Sequence, residues 1–175
     1  MRHHQTLVLL LMLGIAACGA DASRDPVSPI SPQLPTRERA SGTTTTLTIR
    51  GSVKSSETDT YQAETNSLVV HLSGVGVASH LGRFTFVDDG VASLVTGVGT
   101  GSVTYTAADG AALTGSASGG AVIVGDIAEI TDTITITGGT GRFASATGVM
   151  TSIRRLDLGT LLSSGSFEGV IDLAK

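Results

Sequence analysis

Beyond residue 43 no ten consecutive residues keep a helical period without a glycine breaking it. What replaces that period is a run of short segments rich in Thr, Val and Ile, punctuated by Gly and Ser. β-branched residues favour the pleated strand, and Gly and Ser mark its turns. Segments of this kind at short spacing imply an all-β sandwich or barrel. Thr45 to Lys54 alternates, with Leu47, Ile49 and Val53 on one face and Thr46, Thr48 and Arg50 on the other. Ser67 to Ala78, Gly82 to Val87, Ala112 to Ser118, Ile127 to Thr137, Val149 to Leu158 and Ser166 to Leu173 read as further strands. Val91 to Ala107 reads as one long strand that bends or bulges at its glycines, and Ala108-Asp109-Gly110 as the turn that follows it. About eight strands with small residues where a sheet would curve predict a small closed antiparallel barrel; a β-sandwich is the alternative. Such a barrel is filled by side chains or holds one small ligand.

Ahead of this domain the chain has a different grammar. Arg2 precedes an apolar run, Thr6 to Ala17, that ends in small residues and is too short to span a bilayer. That order reads as a secretory signal peptide over residues 1–17. Ile15-Ala16-Ala17-Cys18 resembles the lipobox of bacterial lipoproteins, in which the Cys thiol is acylated and the chain is cut just before it. Cys18 is the only cysteine, so no internal disulfide can form and the thiol is free for that use. An ordinary cleavage leaving a free Cys18 is the alternative. Residues 18–42 hold all four prolines with scattered charges and no apolar period, which predicts a disordered tether. The expectation is an exported protein, anchored through lipid at Cys18 to the cell membrane or an outer membrane, with one domain over residues 43–175 outside the cytoplasm.

Gly139 to Ala144 matches the dinucleotide fingerprint G-x-G-x-x-[GA], but its setting is wrong. The fingerprint needs a buried parallel strand before it and a helix after it. Here the preceding strand is half polar and Gly148 interrupts any helix. Read whole, Ile136 to Gly148 (ITGGTGRFASATG) resembles a segment joining two late strands in the barrel shared by allene oxide cyclases and dirigent proteins. His80-Leu81-Gly82-Arg83-Phe84-Thr85, Thr106 to Gly110 and Gly165-Ser166-Phe167-Glu168-Gly169 fit the same barrel type, so the resemblance runs over about residues 43–174. In that segment Gly138, Gly139, Gly141 and Gly148 would permit tight backbone, Phe143 would plug a barrel end, and Arg142 would satisfy loop carbonyls or pair an acid.

The resemblance implies an apolar barrel that works without a cofactor, and a homotrimer. Allene oxide cyclases isomerise a fatty-acid epoxide, and dirigent proteins steer phenoxy-radical coupling. Their functional residues map onto no matching motif here, so no catalytic residue is carried over. The sequence holds no metal-ligand spacing. His71 and His80 read as surface or rim histidines and Asp88-Asp89-Gly90 as a hairpin turn. A net charge of −4 with few Lys and Arg gives no nucleic-acid footprint. If the aliphatic face of Ile127 to Thr137 points inward, Asp132 lies inside and Glu129 outside, and Val103 and Tyr105 share an inward face with Gly97, Gly99 and Gly101. Tyr105 and Asp132 are therefore the candidate cavity residues. An interior with so few polar groups favours a barrel that binds a small apolar ligand or serves a structural role. A cofactor-free isomerase or lyase is the alternative.

The anchor is directly testable. The mature N-terminal peptide should begin at Cys18 and carry the mass of its acyl chains in mass spectrometry, two or more chains being needed for stable attachment. An unmodified peptide beginning elsewhere would contradict it.

Overall fold

The computed structural model describes residues 43–175; the expected signal peptide, Cys18 and the expected tether lie outside the described residues. Eight strands follow in chain order: β1 (Thr44–Gln62), β2 (Ser67–Ala78), β3 (Gly82–Ser93), β4 (Val98–Ala107), β5 (Ala112–Val124), β6 (Ile127–Gly139), β7 (Ala146–Asp157) and β8 (Leu162–Ala174). Each pairs antiparallel with the next, and β8 returns to β1 to close a single barrel, which excludes the sandwich. β1 is long because it serves two neighbours. Its Thr44–Ser56 stretch pairs with β8 and its Gly51–Gln62 stretch with β2.

Three readings of the sequence are corrected here. Val91 to Ala107 is two strands: Val91–Ser93 finishes β3, and a turn over Leu94–Gly97 leads into β4. Gly97 takes φ +70° there, and its N–H donates to the Ser93 carbonyl at 2.9 Å. Leu94 and Val95 lack turn chemistry, which hid the turn. The irregularity expected in that stretch falls instead at Thr114/Gly115 in β5. Asp88-Asp89-Gly90 is no hairpin turn but the middle of β3, paired with Val103, Ser102 and Gly101 of β4.

The two barrel ends differ. At the closed end, the connections β2–β3, β4–β5 and β6–β7 meet. The β6–β7 connection contains a short 3-10 turn, Gly141–Phe143, with Phe143 buried in the core. Gly141 takes φ +58°, and a side chain on Gly139 would collide with the Ala112 carbonyl, so both glycines are required by geometry. Arg142 donates to the His80 carbonyl at 3.0 Å and pairs with Asp109, tying the three connections together. Above this plug the interior is solid: Ile49, Leu113, Met150 and Ile171 are wholly buried. Next comes a layer of Phe84, Phe86, Tyr105 and Phe167, with ring centroids 5.6–6.3 Å apart. A second, smaller cluster, Ala128, Ile130 and Leu156, stands apart from this core toward the other end.

Because β8 pairs with both β7 and β1, ending the chain after Gly159 would open two strand edges and delete the buried Phe167 and Ile171. The truncated chain should show no cooperative melting by circular dichroism. A truncated form that melts cooperatively with native-like β signal would contradict closure.

Candidate functional site

Strand alternation sends every second side chain into the barrel. On β3 the inward series runs Phe84, Phe86, Asp88, Gly90, and on β4 it runs Tyr105, Val103, Gly101, Gly99. The closed-end half of each series is bulky and the open-end half is not. With Ala117, Gly119 and Ala121 of β5, these positions leave a cavity of about 280 Å³ that opens among the hairpins β1–β2, β3–β4, β5–β6 and β7–β8. The glycines also make room for charge. A methyl group on Gly101 would lie 2.8 Å from the Asp88 carboxylate, and one on Gly119 would collide with that of Asp132.

The structure places Asp132 and Tyr105 inside, as the alternation indicates, and Glu129 outside, where it faces Arg155 at 3.6 Å. It also brings in four ionisable residues that the sequence reading missed: Glu57, Asp59, Asp88 and Arg154 all line the cavity. Arg154 Nη1 donates to Glu57 Oε2 at 2.6 Å, with only 12% and 5% of the two side chains exposed, and its Nε lies 3.9 Å from Asp132. The signal was available: Ser55, Glu57 and Asp59 continue the inward face of Val53 once β1 is allowed to run to Gln62, and Arg154 shares a face with Met150 and Leu156.

Four carboxyl groups around one guanidinium must compete for it. Burial pushes the Asp88 carboxyl up to about 6, with help from the negative Asp132 and against the pull of Arg154. Burial also raises Asp132, and it raises Asp59 together with repulsion from Glu57. One Asp59 oxygen is fully buried without a hydrogen-bond partner among the described residues. Tyr105, 4% exposed, is raised by burial and then by the charge of Asp88 and Asp132. The site can therefore hold uncompensated negative charge in an otherwise apolar chamber.

Other candidates carry less. A larger groove of about 640 Å³ runs across the outer face of β1 to β4, but only Lys54 and Arg83 bring charge to it and nothing converges there. His71 lies on the same outer face as Asp89, with 2.6 Å between Nδ1 and Oδ1, both side chains more than half exposed. His80 sits in the β2–β3 turn at φ +64°. Among the described residues no group of three acids, histidines or cysteines could hold a metal ion.

Burying an ionised Asp88 costs stability, with a consequence for pH dependence. Its raised value means the folded protein binds a proton more tightly than the unfolded chain. The stability from the neutral form is complete below about 3.8 and is lost as pH rises through about 6. Asp88→Asn should therefore stabilise the fold by on the order of 2 kcal/mol at pH 7.5 and change it little at pH 4, in denaturant titrations at the two values. Destabilisation at pH 7.5, or a difference independent of pH, would contradict this assignment.

No protein-family model matches the sequence, and no curated protein matches it. Among solved structures, the pterocarpan synthase dirigent protein GePTS1 is similar, with a TM-score of 0.52 and 15% identity over 77% of this chain and 90% of that one. At that identity the likeness shows the fold: residues 44–174 form a dirigent-like eight-stranded barrel.

Proposed function

We propose that this protein is an envelope lipoprotein, anchored to membrane lipid through acylated Cys18, whose barrel binds a small, largely apolar ligand in its open-end cavity. The cavity is the observation that carries the reading. Its walls toward the mouth are largely aliphatic, with Leu68, Leu94, Ile123, Leu156 and Leu158, while Asp88 and Asp132 stand deeper on their strands. A concave, mostly apolar chamber with a few convergent polar groups is the usual form of a ligand site. The homotrimer implied by the dirigent resemblance would cover exposed valines of the outer wall, among them Val69, Val75, Val77 and Val91.

One observation favours a second reading, a cofactor-free isomerase or lyase. Catalysis without a cofactor needs positioned acids and bases for developing charge. Asp88, Asp132, Arg154 and Tyr105 give the interior more such groups than its sequence suggested. GePTS1 is named a pterocarpan synthase, and the similar barrel here has groups that could transfer a proton.

Native mass spectrometry of the full chain from its own host tests the binding reading. A lipid-like or aromatic mass should be retained by the wild type and lost from Gly99→Leu. A Cβ at Gly99 meets its nearest atoms at 3.7 Å, so the substitution fits the wall and fills the chamber without breaking the fold. A bound mass unaffected by Gly99→Leu would place the ligand elsewhere. Consumption of an added unsaturated epoxide, abolished by Asp132→Asn or Tyr105→Phe but not by Glu129→Gln, would establish the enzyme instead.

A further inference from the structure

Resting on the reading of the cavity as a ligand site, we infer that its occupant is an amphiphilic amine: a primary or secondary ammonium held on the floor by Asp88 and Asp132, with an apolar body rising to the mouth. The charge balance is the first ground. Glu57, Asp59, Asp88 and Asp132 face the chamber against the single guanidinium of Arg154. Arg154 is committed to Glu57 at 2.6 Å and reaches Asp132 only at 3.9 Å, so among the described residues no cation forms an ion pair with Asp88. An anionic ligand would meet this excess of negative charge with the one guanidinium already engaged.

A fully buried Asp59 oxygen that has no hydrogen-bond partner among the described residues is the second ground, because Asp59 lines the chamber and buried polar atoms are normally paired, so the orphan marks a deficit of donors there. A bound ammonium supplies both missing things, positive charge and several N–H donors, and so offsets the cost of keeping the buried acids ionised.

The walls narrow the class. Among the described residues no aromatic side chain lines the chamber; Phe84, Phe86, Tyr105 and Phe167 pack against one another below its floor. Quaternary ammonium groups, which have no N–H, are recognised by aromatic faces, so this site discriminates against them. The volume of about 280 Å³ matches roughly nine waters at about 30 Å³ each, room for a short chain or one ring.

Calorimetric titration of the full-length chain at pH 7.5 with four probes of one chain length tests this: hexylammonium, hexyltrimethylammonium, hexanol and hexanoate. Hexylammonium should bind roughly tenfold tighter than hexanol, the gain when a neutral hydrogen bond becomes charge-assisted. Hexyltrimethylammonium should bind several-fold more weakly than hexylammonium, and hexanoate weakest of all. Asp88→Asn should cut the preference for hexylammonium over hexanol several-fold, and an unchanged ratio of the two affinities would overturn the assignment of Asp88. Hexanol or the quaternary probe binding as tightly as hexylammonium would overturn the amine inference and leave the cavity reading standing. Preference for hexanoate would overturn it in favour of recognition by Arg154. Binding of none of the four would overturn the cavity reading itself.

Discussion

Because β8 pairs with both β7 and β1, no strand of the barrel has a free edge, and each side chain has two destinations, the interior or the solvent. The inward positions must then be filled from end to end by what each strand offers. At the closed end they carry Phe, Leu, Ile and Met, capped by Phe143. Toward the open end β3, β4 and β5 offer Gly90, Gly99, Gly101 and Gly119, and nothing compensates for their missing side chains. The hollow follows from closure plus the placement of these glycines. A flat open sheet with the same residues would enclose no such space.

The same constraint accounts for the buried charge. Glu57, Asp88, Asp132 and Arg154 stand on four different strands, and the barrel's curvature turns them toward one volume. Unpaired, each would be costly to bury. Arg154 offsets part of the cost for Glu57 and Asp132, and protonation at moderately acidic pH offsets it for Asp88. Retaining a cluster that works against stability is characteristic of functional sites more than of structural cores. The contrast with the closed end supports this distinction. There the ion pair of Arg142 and Asp109 is half exposed and ties loops together.

Much of the fold was legible because period-two alternation is a local signal. Ile130, Asp132, Ile134 and Ile136 on one face of β6, and Val103 with Tyr105 on β4, are placed by parity alone. What escaped was non-local or chemically disguised. Leu94-Val95 look like strand yet form a turn, and Asp88-Asp89-Gly90 look like turn yet pair across a sheet, because the partner strand decides both. β1 was cut short at Lys54 because Ser55 to Asp59 is polar on both faces; only closure shows that Glu57 and Asp59 point inward. Arg154 escaped because an inward arginine makes sense only once Glu57 is across from it.

The central claim is that the open-end chamber, rather than the larger outer groove, receives a ligand. Amide chemical-shift mapping of the isotope-labelled chain during titration with hexanol tests it most directly. The account predicts shifts concentrated at Gly99, Gly101, Gly119 and Ile130, with none at Phe143 or Ile171 in the packed half. Shifts concentrated instead at Val75, Val77, Thr85 and Thr106, along the outer groove, would contradict it.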